Sequence, residues 1–367
     1  MGLAATESAA TPRPLAGWPP EALIAALQAA GLKPGQARGA VRLALRAWFA
    51  GEAQPLAQVS RQATLLLAEA FPEAPPLALV ECAPSADGSC RLLWRTHDNL
   101  LVEGVIIPSS GGDRTTLCVS SQVGCGRRCA FCETGRLGLV RNLASIEIVQ
   151  QFQQASAIWQ AQRGARPPIR NVVFMGMGEP LDNLGAVGDA IDVLCHAFGP
   201  GLAAQRITVS TVGVAQQIPT FFQRTRANLA VSLNAPDDAR RLAIMPVHRH
   251  CGLAELKRAL QAALPPGRDV LVEYVLFGGV NDALQDADLL MEWLRDLPAR
   301  LNLIPANPGP DPRLHAPEPQ TVRAFQKHLL DAGVRAMVRH PHGRDVGGAC
   351  GQLAGSRREF EEMRHGA

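Results

Sequence analysis

The chain has 367 residues, 47% of them hydrophobic and 19% charged, a formal net charge of +3, and nine cysteines. That length can bury a sizeable core, as one large domain with an appendage or as two domains, and a charge of +3 neither demands nor forbids nucleic acid as a partner. No apolar run approaches the ~20 residues of a membrane span, the opening MGLAATESAATPRP lacks the regions of a signal peptide, and unevenly spaced cysteines in odd number do not read as a secreted disulfide framework.

A cytoplasmic location with no membrane partner is therefore expected. Residues 1–17, rich in Ala, Thr and Pro, read as disordered. A helical module follows over 18–75: PPEALIAALQAAG places Pro at a helix start and Gly at its end, GQARGAVRLALRAWFAG continues the pattern, and Ser60 is placed to cap SRQATLLLAEAF. CRLLWRT and LLVEGVIIPSS, either side of HDN, read as a β-hairpin within an extension over 76–110.

From residue 111 to 354 strands and helices alternate. TLCVSSQV reads as one strand and SIEIVQQFQQASAIWQA as a helix with Ile148, Phe152, Ile158 and Trp159 at helical spacing. NVVFMG, ITVST, LAVSL, VLVEYVLF, LNLIP and RAMVRH are short, apolar and β-branched, as buried parallel strands are. Helices fall between them at 185–198, 214–224, 252–264, 283–297 and 319–332. The pattern is α/β, with a parallel sheet as an open sheet or a partial (β/α)6 barrel, and chemistry belongs at the C-terminal strand ends. NPGPDPRLHAPEP reads as a long functional loop and residues 355–367 as a frayed tail.

Cys125, Cys129 and Cys132 form a C-x3-C-x2-C pattern on the loop after the first strand of this series. Structural zinc takes four ligands, usually as two C-x2-C pairs, and no second pair is present; Cys118, inside a strand pattern, is the available fourth. Three thiolates instead suit a [4Fe–4S] cluster with one iron left open to a substrate. MGMGEP ends the next strand, where glycines admit close approach and Glu179 can accept from an ammonium group. Gly178, Ser210, Ser232, Leu233, Asn234 and Asn307 also fall at strand ends, where each alone is ordinarily a turn or cap residue. By itself Glu103 reads as a solvent-facing strand residue and Cys350 as a buried structural cysteine, although the glycines around Cys350 suit a mobile loop. Cys82, Cys90, Cys195 and Cys251 match no motif and read as packing or surface residues.

The C-x3-C-x2-C spacing with Phe131 before the last cysteine resembles the radical S-adenosylmethionine (SAM) superfamily. TLCVSSQVGC, NVVFMGMGEPLDN, ITVSTVG, VSLNAP, LNLIPANP and ACGQLAG, in order across about residues 88 to 355, resemble the RlmN/Cfr family of radical SAM adenine methyltransferases. The resemblance implies a partial (β/α)6 radical SAM barrel and a [4Fe–4S] cluster on Cys125, Cys129 and Cys132. It also implies SAM held by Gly178, Glu179, Ser210, Ser232, Leu233, Asn234 and Asn307. It further implies that Cys350 carries a methyl group, that a radical made from a second SAM activates it, and that Cys118 resolves the product through a transient disulfide, with Glu103 as proton acceptor.

The implied substrate is an adenine carbon, C2 with C8 as the alternative, in 23S ribosomal RNA, with transfer RNA open as a second substrate. A flavodoxin- or ferredoxin-like donor and a monomeric enzyme are expected. Radical methylation of a non-RNA substrate and a zinc-stabilised RNA-binding protein are the competing readings. The sequence departs from the family pattern in its N-terminal module, in the His-rich stretch after Pro246, and at Ala306. Arg127, Arg128, Arg136, Arg141, Arg339 and Arg344 are candidate phosphate contacts, each of which by itself reads as part of a solvated face.

Overall fold

A computed structural model describes residues 15–71, 75, 77–109, 111–246 and 251–353. Most of the expected disordered N-terminus, the C-terminal tail and the His-rich residues 247–250 lie outside them. Leu15–Gly17, expected to be disordered, form a short 3-10 helix instead. Its Gly17 carbonyl accepts from Ser145 Oγ at 2.5 Å.

Three helices make the N-terminal module: α1 (Pro20–Ala29), α2 (Pro34–Phe49) and α3 (Arg61–Ala70). Ser60 Oγ accepts from Ala63 N at 3.4 Å and caps α3, a contact of about 1 kcal/mol. Leu23, Leu27, Leu45 and Leu67 are fully buried in a core of the module's own, each contributing about 1.5–3 kcal/mol. Ile146 and Phe198 reach into this core from the rest of the chain and join the module to it.

The strands are β1 (Ala78–Pro84), β2 (Cys90–Arg95), β3 (Leu101–Pro108), β4 (Thr115–Cys118), β5 (Gln122–Cys125), β6 (Gly138–Asn142), β7 (Ile169–Phe174), β8 (Ile207–Thr211), β9 (Asn228–Ser232), β10 (Val270–Leu276), β11 (Ala299–Pro305) and β12 (Ala336–Val338). Between them run α4 (Glu133–Leu137), α5 (Ser145–Gln162), α6 (Leu184–Cys195), α7 (Ile218–Arg224), α8 (Asp238–Ile244), α9 (Leu253–Ala263), α10 (Leu284–Leu294) and α11 (Pro319–Asp331). Among the described residues ten strands form one sheet in the order β1-β2-β3-β4-β7-β8-β9-β10-β11-β12, and β5 and β6 form a separate hairpin. β4 and β7 to β12 are parallel, and β1 to β3 extend the sheet antiparallel. The fold is α/β with a mixed, unclosed sheet.

Two expectations change. The hairpin extension has a third strand, β1. TLCVSSQV is two strands: β4 ends at Cys118, and at Ser120 the chain turns out of the sheet, where Gln151 of α5 accepts from its backbone N–H (2.8 Å) and donates to its carbonyl (3.0 Å). β5 then pairs with β6. Gly124 is required in that hairpin: at φ +73° a Cβ would lie 1.9 Å from the Gly138 carbonyl oxygen.

The sheet is curled. Laid flat, its two edges would stand about 43 Å apart at ~4.8 Å per strand. Yet only a few residues beyond β12, His342 Nδ1 lies 3.1 Å from Asp87 in the β1–β2 turn, within the ~14 Å reach of four residues. Strand alternation assigns the faces. Tyr274 and Trp94 point outward, stacking on Phe325 of α11 and donating to Gln154 of α5 (2.9 Å). Cys118, Ser210, Ser232 and Glu273 fall on the inner face.

Candidate active site

A cavity of about 150 Å³ opens at the C-terminal ends of the parallel strands. Cys125, Cys129, Cys132, Gly178, Glu179, Ser210, Ser232, Asn234, Asn307 and Cys350 line it. Residues spread over more than 220 positions of sequence thus meet in one place.

The three-cysteine loop runs from the end of β5 to the start of α4. Arg127 N donates to Cys125 Sγ at 3.5 Å, Ala130 N to the Ile244 carbonyl at 2.9 Å, and Cys132 N to the Cys129 carbonyl at 3.1 Å. Burial pushes Cys125 up to about 12, and burial together with the neighbouring thiols holds Cys129 well above the usual range. Burial also raises Cys132. Three mutually repelling buried thiolates call for a cationic group, whose binding releases their protons. Among the described residues no three His, Cys, Asp or Glu side chains converge on a single metal ion. A tetrahedral ion would need sulfurs roughly 3.8 Å apart, given Zn–S bonds of about 2.3 Å. Three thiols from one loop on the cavity wall are a donor set that suits a polynuclear iron–sulfur cluster.

Glu179 is 1% exposed. Its carboxylate accepts from Leu181 N at 3.0 Å and Val212 N at 2.9 Å. Burial raises it to about 7, against those two hydrogen bonds. The glycines before it have a structural reason: a Cβ on Gly178 (φ +108°) would lie 2.7 Å from Gln122 Cβ, and one on Gly176 would lie 2.7 Å from the Val119 carbonyl oxygen. The MGMGEP turn is pressed against the chain leaving β4, and Gly178 also lines the cavity.

Asn234 is left-handed (φ +58°) and accepts from Val275 N at 3.0 Å. Leu233 does not line the cavity. It is fully buried, because alternation turns it away from the side that Ser232 and Asn234 face, and its N–H bonds the Glu273 carbonyl at 2.9 Å. Asn307 holds the cysteine loop: its Nδ2 donates to the Cys350 carbonyl at 3.0 Å and its Oδ1 accepts from Arg344 Nε at 2.8 Å.

Cys350 lies at the end of a loop anchored on the β1–β2 turn. Asp345 accepts from Ser85 Oγ at 2.5 Å and Ala86 N at 3.0 Å, and Asp87 accepts from Gly343 N at 3.0 Å. Cys350 lines the cavity, while Cys118 is buried and off its wall. Burial raises Cys118 most, and the charge of a Cys350 thiolate adds to the rise. Burial also raises Cys350, and the Arg339 guanidinium favours both thiolates against it.

Glu103 is 1% exposed and accepts from Arg91 Nη1 at 2.5 Å, which replaces the solvent-facing reading. It does not line the cavity. It shares the inner face with Val105, the partner of Cys118 in the β3–β4 register.

The sequence reading missed Glu273 and Arg241. Glu273 lines the cavity, accepts from Ser210 Oγ at 3.4 Å, and pairs with Arg339 at 3.5 Å. Burial raises it, opposed by Arg339. A lone Glu in VLVEYVLF was the available signal. Arg241, with 0% exposure, donates to the Leu233 and Val212 carbonyls behind the cavity. Of the candidate phosphate contacts, Arg141 is bound by Asp98 and Glu147, Arg127 by Asp182, Arg136 by Glu133, and Arg344 by Asn307. Arg128 is exposed.

Comparison with known proteins adds the following. The model of the radical SAM superfamily matches residues 119–292. A probable RNA methyltransferase of Sorangium cellulosum is 57% identical over 79% of this chain and 72% of its own length. The dual-specificity RNA methyltransferase RlmN of Anaeromyxobacter dehalogenans is 43% identical over 92% of this chain and 90% of its own. The crystal structure of a radical SAM methyltransferase from Sphaerobacter thermophilus superposes with a TM-score of 0.83 at 34% identity, covering 94% of this chain and all of that one (100%).

Proposed function

From the premise that this chain belongs to the RlmN/Cfr family of radical SAM RNA methyltransferases, we propose that it methylates carbon 2 of an adenine in 23S ribosomal RNA, with transfer RNA as a second substrate. The observation that carries the reading is the convergence of Cys125, Cys129, Cys132, Glu179 and Cys350 on the lining of one cavity, with Cys118 buried on the inner face of the sheet.

Cys125, Cys129 and Cys132 would hold the [4Fe–4S] cluster. Glu179 would take the SAM ammonium group, with Gly178, Ser210, Ser232 and Asn234 around it. When bound, the cluster and SAM supply the methyl group and the one-electron chemistry. An adenine ring carbon is electrophilic, so a methyl cation equivalent cannot be passed to it directly. Cys350 Sγ holds the carbon unit between donor and adenine, and its loop, anchored through Asp345 and Asn307, keeps it at the cavity. Cys118, as the thiolate, attacks Cys350 Sγ; the S–C bond to the product breaks, its electron pair leaves with the product carbon, which takes a proton, and the resulting disulfide is reopened by a reductant. Arg339 keeps both sulfurs nearer the thiolate form. Glu103 would accept the ring proton, which requires the base to enter along the inner face of β3. The adenine must be unstacked to arrive there. An electron donor of the flavodoxin or ferredoxin class and a monomeric enzyme complete the reading. Among the described residues no helix is long and apolar enough to cross a membrane.

The test is anaerobic. Cluster-loaded protein receives methyl-deuterated SAM and unmodified ribosomal RNA, and the nucleosides are analysed by mass spectrometry. Labelled 2-methyladenosine is expected. Labelled 8-methyladenosine would move the reaction to the other ring carbon, and SAM cleavage with no labelled nucleoside would overturn the RNA assignment.

A further inference from the structure

We propose that Cys82 and Cys90 are a second dithiol site, separate from the Cys118 and Cys350 pair, which closes to a disulfide on meeting a small-molecule disulfide oxidant. Both are free cysteines, and their Sγ atoms are 3.0 Å apart. Closing to the ~2.05 Å of an S–S bond takes an approach of about 1 Å. In the β1–β2 register Cys82 faces Leu92 and Cys90 faces Pro84, so the two cysteines are diagonal neighbours on one face. β1 is the edge strand of the sheet.

The two sulfurs differ in access. Cys82 is half-buried and Cys90 is 3% exposed. Burial and the adjacent Cys82 sulfur push Cys90 up to about 12, so Cys82 makes the first attack. Its thiolate displaces one half of the oxidant as a thiolate and forms a mixed disulfide. Cys90 then loses its proton to solvent, attacks Cys82 Sγ and displaces the other half. Two protein thiols are oxidised by two electrons, and one small disulfide is reduced to two thiols.

This pair cannot exchange with the active-site pair. Cys90 pairs with Ile106 and Cys118 with Val105, adjacent residues whose side chains point to opposite faces. The disulfide would staple the two strands at the base of the turn, Ser85 to Ser89, that holds the Cys350 loop. The inference does not rest on the methyl-transfer reading.

The sequence makes the test simple, since Cys82 and Cys90 fall on one tryptic peptide, residues 62–91, without another cysteine. Cluster-loaded protein is treated anaerobically with oxidised glutathione, quenched with an alkylating agent, digested without reduction and analysed by mass spectrometry. The expected peptide carries no alkyl group, is two hydrogens lighter than the dithiol, and reverts with dithiothreitol. In a Cys82→Ser variant, Cys90 should stay a free thiol at the same oxidant concentration and time. Recovery of both thiols alkylated, or of stable glutathione adducts on both, would overturn the proposal. So would a glutathione adduct forming on Cys90 in Cys82→Ser as fast as the wild-type thiols disappear.

Discussion

Glu179 should make SAM binding depend on pH in a way the cavity itself sets. Burial lifts its carboxyl from 4.5 to about 7, against hydrogen bonds from Val212 N and Leu181 N. Ionising it in the SAM-free protein therefore costs about 3 kcal/mol relative to an exposed carboxylate. The unfolded chain ionises this group near 4.5 and the folded chain near 7. Stability is therefore lost as pH rises through that window and stays lower above it. A bound ammonium group favours the carboxylate and reverses the penalty. SAM affinity should thus rise about fivefold from pH 6 to 7 and about twofold more by pH 8, where it levels off. Binding should release about half a proton per SAM at pH 7 and about a tenth at pH 8. Anaerobic calorimetric titrations of cluster-loaded protein at the three pH values, in buffers of different ionisation enthalpy, measure both quantities. Glu179→Gln should bind more weakly at pH 8 and lose the pH slope. A wild-type affinity that is flat from pH 6 to 8, with no proton released, would refute the role given to this carboxyl.

Arg339→Gln removes the cation that favours the Cys118 and Cys350 thiolates. Methyl loading of Cys350 should slow by about tenfold and recover as pH is raised, since each pH unit restores about tenfold of thiolate; a rate defect independent of pH would speak against it. Asp345→Ala removes the acceptor for Ser85 Oγ and Ala86 N. Amide exchange across residues 340–350 should quicken while the parallel strands keep their protection, and unchanged exchange would show that the loop is held by other contacts. Cys129→Ala should leave protein without the visible absorbance of a [4Fe–4S] cluster after reconstitution, and an intact spectrum would remove Cys129 from the ligand set.

Much of this architecture is legible in sequence because burial on both faces leaves a plain mark. β7 to β11 are short apolar runs, and the helices between them repeat at 3.6 residues. What escaped the sequence had no such mark. β1 carries Glu81 and Pro84 and is exposed along most of its length, as an edge strand can be. TLCVSSQV looks like one strand because the break at Ser120 is satisfied by Gln151, a side chain on a helix. The three-cysteine spacing was readable as local chemistry, and Cys350 was placed by the family resemblance. The anchoring of the Cys350 loop was not readable, because Asp345 and its partners Ser85 and Ala86 are separated by about 260 positions. Glu273 looked like any charged residue in a strand. Only the curl of the sheet turns it into the cavity opposite the cysteines. Asn307 lines the cavity, and the sequence did not show that its amide also bonds the Cys350 carbonyl and Arg344.

The most direct test of the central claim, that Cys350 carries carbon to RNA and Cys118 releases it, is the Cys118→Ala protein. Incubated anaerobically with SAM, a reductant and ribosomal RNA, it should accumulate a covalent protein–RNA adduct. After nuclease and trypsin treatment, mass spectrometry should place an adenosine-derived mass on Cys350, in the peptide spanning residues 345–357. Product released at the wild-type rate with no adduct, or an adduct mapped to another residue, would contradict the account.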